Sequence, residues 1–359
     1  MNNKKVLLGM SGGVDSSVSA LLLKEQGYEV IGITLQLFAG SCCNLETNLD
    51  AKNVCKLIGI PHITYDLRKE FKCNVIDDFI NEYSNGRTPN PCIECNKYMK
   101  FGAMFEKAKE LGCNYIATGH YAKIEYSEKY KQYVLKKSNT ILKDQSYVLY
   151  NIPRKMLANV LFPLGNFNSK EEIREIARKH NLKVANKPDS EDICFIPDGN
   201  YKKFLEENSD LKPKKGKIVN KNGEILGEHN GLYNYTIGQR KGLGISYKEP
   251  LFVIGFNQER NELIVGTNKD TYKKEMLVNN LNWLLFDNLK EKLKVGVKTR
   301  YSAKESKATI EQVDSDLVKV VFDEPSQRIT PGQSAVFYID DVVIGRRKNI
   351  CLVNFLEQN

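Results

Sequence analysis

The chain has 359 residues, with 53 Lys and Arg against 44 Asp and Glu and a formal charge of +9. A single hydrophobic core seldom serves more than about 250–300 residues, so two or three domains are expected. The hydrophobic share of 41% and charged share of 27% exclude a disordered or fibrous chain, and no apolar run approaches the ~18–20 residues that cross a bilayer. The start, Met1-Asn2-Asn3-Lys4-Lys5, has the basic opening of a signal peptide. Its apolar continuation soon meets Ser11-Gly12-Gly13 and Asp15, which argues against secretion. The nine cysteines then read as reduced thiols of a cytoplasmic protein, not as a disulfide scaffold. The positive excess suits a polyanionic partner such as nucleic acid, and no membrane partner is expected.

Taken in chain order, the first half alternates strand-like and helix-like segments. Lys5–Met10 is a short apolar run. Ser16–Gln26 has helical spacing through Val18, Leu21 and Leu22 before Gly27, and Glu29–Phe38 reads as a second buried strand. Leu45–Ile58 places Leu49, Val54, Leu57 and Ile58 at helical intervals ahead of Gly59, a plausible C-cap. His62–Asp66, a helix around Phe71–Tyr83, another around Lys100–Leu111 and the strand Tyr115–Thr118 continue the pattern, which implies crossovers onto a mostly parallel sheet. Ser169-Lys170-Glu171-Glu172 is a capping box that opens a helix with Ile173, Ile176 and Ala177 on one face.

The texture changes after about Phe204–Leu205. Lys202–Lys217 is polar and basic and reads as a linker, and beyond it helical periodicity largely vanishes. Ile218-Val219 and Ile225-Leu226 flank Asn222-Gly223, a hairpin signal. Leu251–Phe256, Glu262–Val265, Leu293–Val297, Ala308–Val313, Leu317–Phe322 and Ala335–Tyr338 follow as short strands, in two small β modules split near residue 275. Gly231–Ile245, with Arg240 and Lys241 among glycines, reads as a flexible basic segment.

Chemistry concentrates first at Ser11-Gly12-Gly13-Val14-Asp15-Ser16-Ser17, between the first strand and the first helix. Paired glycines let backbone N–H groups approach an anion, and the new helix aims its N-terminal donors at the same place. Three serine hydroxyls add donors. There is no G-x-x-x-x-G-K-[ST], so this is not the loop that grips a γ-phosphate with a lysine.

Gly9-Met10-Ser11-Gly12-Gly13-Val14-Asp15-Ser16 resembles the phosphate loop of the N-type ATP pyrophosphatases, which cleave ATP between its α and β phosphates. Thr88-Pro89-Asn90-Pro91, Cys95-Asn96-Lys97, Ala117-Thr118-Gly119-His120, Lys143-Asp144-Gln145-Ser146-Tyr147, Asp192-Ile193-Cys194-Phe195-Ile196, the run Tyr235–Gly244 and Pro331–Tyr338 narrow the match. In order and spacing the set resembles the bacterial tRNA-specific 2-thiouridylase family along nearly the whole chain. That resemblance implies an α/β fold with three parts. An N-terminal parallel-sheet ATP-pyrophosphatase domain, adenine nucleotide alpha-hydrolase-like, covers 1–207. A central small β domain covers 208–275, and a C-terminal β-barrel covers 276–359.

The implied activity is ATP-dependent 2-thiolation of the wobble uridine, position 34, in the anticodon stem-loop of tRNA. The C2 oxygen is a poor leaving group until it is adenylated, after which sulfur can attack the carbon. The resemblance assigns the persulfide to Cys194 and makes Cys95 its paired nucleophile, closing a transient disulfide. Cys95 is expected in a Pro/Asn-rich loop where Lys97 favours the thiolate, whereas Asp189 and Asp192 near Cys194 would disfavour it. ATP with Mg2+ is expected on Gly9, Met10, Ser11, Gly12, Gly13, Val14, Asp15 and Ser16, with Leu35 and Gly119 as further contacts. Contacts to tRNA are carried over to Asn90, Pro91, Cys92, His120, Lys143, Asp144, Gln145, Arg300, Tyr301 and Gln333. A protein sulfur donor, a cysteine desulfurase or sulfur-relay protein, is implied as a second partner.

One position departs from the family. Cys92 stands where many members carry an aspartate, creating Cys92-Ile93-Glu94-Cys95. A C-x-x-C pair suits a metal chelate and a redox pair alike. With Cys194 it could hold an iron–sulfur cluster; the persulfide route is preferred because it needs only Cys95 and Cys194. The adjacent pair Cys42-Cys43 could be redox-active or bind metal, a reading that ranks below the bland one. An amide-forming ATP pyrophosphatase and a non-catalytic iron–sulfur tRNA-binding protein are the rival readings.

Overall fold

The computed structural model describes residues 4–38, 45–189, 192–279, 281–348 and 350–351, so Cys42 and Cys43 lie outside the described residues. Two compact units emerge. One comprises Met1–Asp77, Pro91–Gly199 and Asp341–Val343; the other comprises Asp78–Asn90, Asn200–Asp340 and Ile344–Asn359.

The first unit is built on β1 (Lys5–Gly9), β2 (Glu29–Gln36), β3 (His62–Asp66), β4 (Tyr115–Ala117), a hairpin of β5 (Ala122–Ser127) and β6 (Gln132–Lys137), and β7 (Val160–Leu161). The sheet order is β3-β2-β1-β4-β7, and every neighbour in it pairs in parallel. Val6, Leu7 and Leu8 are fully buried, the continuous apolar run that a sheet covered on both faces requires. Strand succession runs outward from β1 through β2 to β3, then resumes on the other side of β1 with β4. The crevice between β1 and β4 is therefore the topological switch point, where such sheets bind ligands.

Helices Val14–Glu25, Leu45–Ile58 and Lys170–Lys179 share one core with that sheet, in which Val14, Val18, Leu21, Val54 and Ile58 meet Ile173 and Ala177. The stripe read from the sequence at 173, 176 and 177 thus packs onto the first helix. Ser169 caps its helix by accepting from Glu172 N–H at 3.3 Å. The reciprocal half of the capping box goes one residue upstream, where Asn168 N–H donates to Glu172 at 3.3 Å.

Three differences from the sequence reading stand out in this unit. Cys95 is not in a loop: Pro91–Cys95 is a first helical turn, with Pro91 at a start position that its missing N–H tolerates. That turn runs into a wide π segment, Asn96–Ala103, before Met104–Glu110 resumes α geometry. Local π turns leave no periodic signature and tend to occur at functional sites. The β5–β6 hairpin was not anticipated, because its Lys, Gln and Tyr residues obscure the alternation.

In the second unit, β8 (Lys215–Asn220), β9 (Ile225–Asn230), β10 (Phe252–Asn257) and β11 (Glu262–Gly266) form a sheet in the order β10-β11-β8-β9. Gly223, at φ +84°, makes the turn between β8 and β9. The segment 202–217 is only partly a linker, since the helix Tyr201–Asn208 takes up its start and β8 its end. Nor is 231–245 a flexible arm. Ile237 and Leu243 are buried with Ile218, Val253, Leu263 and Val265, and Gly238 N–H donates to Val253 O at 2.8 Å while Val253 N–H donates to Gln239 O at 2.9 Å. Arg240 and Lys241 remain exposed at its tip.

A larger antiparallel sheet follows, from β12 (Tyr272–Asn279), β13 (Leu281–Trp283), β14 (Leu293–Lys298), β15 (Ser306–Asp314), β16 (Leu317–Gln327), β17 (Ser334–Ile339), β18 (Val342–Lys348) and β19 (Ile350–Cys351). Its order is β19-β12-β16-β15-β14-β17-β18, with β13 paired to β18. Met276, Ile310, Val320, Phe322 and Phe337 are fully buried in this barrel-like module. The segment Asp78–Asn90 belongs to the second unit through aromatic packing: Tyr83 stacks on Tyr201 at 4.9 Å and Phe79 meets Phe204 edge-on at 6.2 Å.

Replacing the cap, Ser169→Ala, is expected to lower stability by about 1 kcal/mol, read as a shift of the urea midpoint at unchanged slope. An unchanged midpoint would mean that the helix does not rely on this cap.

Candidate active site

The phosphate loop leaves β1 at Gly9 and turns through Met10, Ser11, Gly12 and Gly13 into the helix that starts at Val14. Gly12 has φ +68°, and a Cβ there would come within 2.5 Å of the Thr47 carbonyl, so only glycine fits. Gly119, just past β4, is also confined: a Cβ would sit 2.9 Å from Ser16 N. The two glycines bring the strand ends of the switch point onto the start of the first helix. Leu35 stands near the carboxyl end of the adjacent β2.

The loop's hydroxyls behave differently from expectation. Ser17 donates to Gly13 O at 2.8 Å and Ser16 donates to the same carbonyl at 3.2 Å; both side chains are buried. Ser16 Oγ also accepts from Ser11 N–H at 3.2 Å. These serines hold the loop's shape, so the backbone N–H groups beyond Ser11 are the donors that can meet an anion.

Asp15 is the charged member of the loop. Tyr121 O–H donates to its Oδ1 at 2.6 Å, and Lys170 Nζ reaches both carboxylate oxygens at 2.7 Å. Burial first, then the Asp15 carboxylate, push the Tyr121 phenol up, so it remains a donor. Lys170 also meets Asp189 at 2.9 Å, and Asp189 further pairs with Lys143 at 3.1 Å and Arg174 at 3.2 Å. Burial alone would raise the Asp189 carboxyl, but Lys170 and Lys143 outweigh it and hold the group below its usual range. Asp189, one of the two carboxylates that the sequence reading set against Cys194, is thus paired with three cations. Lys187 adds a contact to the loop itself, donating to Gly12 O at 3.4 Å and to Asp50 at 2.8 Å.

His120 follows Gly119. Its Nδ1 lies 2.7 Å from Thr118 Oγ1 and its Nε2 3.3 Å from Lys100 Nζ, while its ring meets Phe101 and Phe162. Burial, then Lys100, hold its pKa well below the usual value. A neutral ring that accepts from Lys100 at Nε2 and donates from Nδ1 satisfies both partners. Asp144 is also turned inward: Ser138 N–H, Ser146 N–H and Ser146 O–H donate to its carboxylate at 3.0, 3.3 and 2.8 Å. Gln145 braces Tyr121, accepting from its N–H at 2.9 Å and donating its own N–H to Tyr121 O at 2.8 Å.

The elements that carry both expected cysteines reach this edge of the sheet through neighbouring residues. The helix that begins with Pro91, exposed Cys92 and buried Cys95 continues to Lys100 and Phe101 against His120, and to Met104 against Gly9. Half-buried Cys194 lies in a turn closed by Ile196 N–H to Ile193 O at 2.8 Å. Its neighbour Phe195 fixes that turn against Phe71 at 5.7 Å and Phe38 at 6.5 Å, just past β2. Among the described residues no cluster of three or more His, Cys, Asp or Glu is arranged to hold a metal ion. Cys92, Cys95 and Cys194 as placed do not form a cluster-binding set.

Asn90, Arg300, Tyr301 and Gln333 belong to the second unit. Gln333 Nε2 donates to Thr88 O at 2.7 Å and Thr88 N–H donates to Pro331 O at 3.0 Å, which ties the strand-like run before Asn90 to the 330–333 turn. Arg300 and exposed Tyr301 lie in a turn past β14, and Lys298 Nζ stands 5.9 Å from the Tyr301 ring. The sequence reading missed Tyr121, Lys170, Arg174 and Lys187. Lys170 was visible as a lysine in a first helical turn, where the helix dipole disfavours it, but its partner lies 155 residues away.

A depressed His120 pKa means that the folded protein resists a proton that the unfolded chain accepts. Its contribution to stability is present above the ordinary value of 6.5 and is lost as pH falls below it. His120→Asn is expected to flatten the stability profile between about pH 6.5 and 5, measured by urea unfolding; an unchanged slope would contradict this environment.

Comparison with known proteins places the chain in a family. Families described as tRNA methyl transferase HUP domain, tRNA methyl transferase PRC-barrel domain and aminomethyltransferase beta-barrel domain match residues 4–198, 202–267 and 273–346. The chain is 49% identical to the tRNA-specific 2-thiouridylase MnmA of Clostridioides difficile (strain 630) over 351 residues, 96% of this chain and 97% of that protein. It is 48% identical to MnmA of Acetivibrio thermocellus over 355 residues, 96% and 99% of the two chains. With MnmA of Clostridium botulinum (strain Alaska E43 / Type E3) it shares 49% over 354 residues, 96% and 97%. The domain descriptions speak of methyl transfer, but the relatives that align end to end are 2-thiouridylases, and they define the relationship. The chain belongs to the MnmA family of tRNA-specific 2-thiouridylases.

Proposed function

We propose that the protein is an ATP-dependent tRNA uridine 2-sulfurtransferase acting in the cytoplasm on the wobble uridine. The observation that carries this reading is the shared edge: the phosphate loop, the helix of Cys95 and the turn of Cys194 all meet the carboxyl ends of one parallel sheet. Adenylation and sulfur transfer need those groups in one place.

The uridine C2 oxygen bonds to the α-phosphorus of ATP, and pyrophosphate departs with the electron pair of the bond that breaks. Backbone donors of Gly12 and Gly13 and the N-terminus of the first helix receive the phosphates. Mg2+, which suits one or two carboxylates plus substrate phosphates, would be held by Asp15 and would neutralise polyphosphate charge. The terminal sulfur of a Cys194 persulfide then attacks C2, and AMP leaves with the former C2 oxygen. Cys95 thiolate attacks the Cys194 sulfur of the resulting bridge, the S–S bond breaks toward the base, and 2-thiouridine is released as a Cys95–Cys194 disulfide forms. A protein sulfur donor restores the persulfide after that disulfide is reduced.

Lys143, Arg300, Tyr301 and Gln333 are read as tRNA contacts, with Arg300 on phosphate and the exposed Tyr301 ring stacking on a base. Asn90, Pro91 and Cys92 face the base in this reading. Asp144, Gln145 and His120 act in this reading by shaping the surface that tRNA meets, since the Asp144 carboxylate, the Gln145 side-chain oxygen and the His120 ring have partners within the chain.

Cys194→Ser and Cys95→Ser should abolish thiolation of a tRNA transcript while tRNA-dependent pyrophosphate release persists. Loss of pyrophosphate release together with thiolation would sink the assignment of the cysteines to the second step. Cys92→Ser should retain thiolation after anaerobic purification; a dead variant that has also lost iron carried by the parent enzyme would reverse the preference for a persulfide. Arg300→Ala should weaken tRNA binding and reduce its salt dependence by about one counterion, leaving ATP binding intact.

A further inference from the structure

The loop lacks a lysine of its own, yet two lysines from distant parts of the chain reach it. Lys170 is the first residue of its helix, a position where the helix dipole opposes a positive charge. Helix stability therefore gives no reason for a lysine there. Its side chain is only 15% exposed and its ammonium touches both oxygens of Asp15 and one of Asp189. Lys187 reaches the carbonyl of Gly12 and the carboxylate of Asp50. Arg174 fixes the backbone beside it, donating to Ala185 O at 2.6 Å and Lys187 O at 3.1 Å. Asp15, Asp189, Lys143, Lys170 and Arg174 together carry two negative and three positive charges, and Lys187 with Asp50 adds a balanced pair. The site thus retains a net positive charge although each ammonium is already paired.

We propose that Lys170 and Lys187 form the polyphosphate subsite of this loop, with Asp15 and Asp50 holding the two ammonium groups in place until the β- and γ-phosphates of ATP take them over. The inference rests on the reading of the loop as an ATP site and adds the residues that bind the departing pyrophosphate. A phosphate competes well for such groups, because its oxygens accept charge-assisted hydrogen bonds at the same distances as a carboxylate. As Asp15 turns to a divalent cation, Lys170 is released toward the triphosphate and keeps Asp189 as its second partner. Both lysines thereby stand where negative charge grows when the α–β bridge breaks, the place where electrostatic stabilisation is worth most.

The test is nucleotide binding to the full-length protein, with thermal midpoints monitoring folding. Lys170→Met and Lys187→Met are expected to weaken ATP and inorganic pyrophosphate by about tenfold or more, while AMP affinity stays within about twofold. Lys170→Arg should recover ATP binding. The double variant Lys170→Met/Asp189→Asn restores the local charge balance, and the loss of ATP affinity should persist in it. Return of wild-type affinity in the double variant, or an equal fall in ATP and AMP affinity in the single variants, would overturn the proposal. Failure of the wild-type protein to bind either nucleotide would instead overturn the reading of the loop as an ATP site.

Discussion

Two helices, Val14–Glu25 and Lys170–Lys179, bury their apolar stripes against each other, and this packing sets Asp15 beside Lys170. A carboxylate that is about two-thirds removed from water needs fixed donors to remain charged. Asp15 has three such contacts, two from Lys170 and one from Tyr121. Much of the first unit follows from that requirement. Gln145 braces Tyr121, and Asp144 braces the turn that carries Gln145. Arg174 and Lys143 converge on Asp189, which shares Lys170. Two glycines then admit the close approaches that this arrangement imposes, Gly12 of the loop against the Leu45–Ile58 helix and Gly119 past β4 against the helix start.

The same economy applies to the cysteines. Neither lies on a floppy arm. Cys95 sits in a helix that continues into a wide π segment and rests on His120 and Gly9 through Lys100, Phe101 and Met104. Cys194 is carried by a turn that fully buried Phe195 fixes against two further phenylalanines. A helix and a turn, each anchored by apolar contacts, give the two thiols defined local settings. The exposed Cys92 stands one helical turn ahead of Cys95, on a surface that solvent reaches.

Sequence by itself determined the parallel-sheet half, the β half, the phosphate loop and the helix cap at Ser169. These depend on local causes: period in the apolar residues, glycine where φ is positive, and a serine three residues ahead of a glutamate. It also carried the family, because motifs such as Gly9–Ser16, Cys95-Asn96-Lys97 and Asp192–Ile196 recur in order along the chain. Only the tertiary structure decided which charged groups serve the site. Asp15 and Lys170 stand 155 residues apart, and nothing local in either segment names the other. Asp189 looked like a charge hostile to Cys194 until three cations arrived from other elements. His120 and Asp144, read from the sequence only as tRNA contacts, have internal partners that no local pattern announced. The glycine-rich run 231–245 looked flexible until Ile237 and Leu243 entered a core. Pairings of this kind arise from distance in space, and a linear pattern holds no term for that distance.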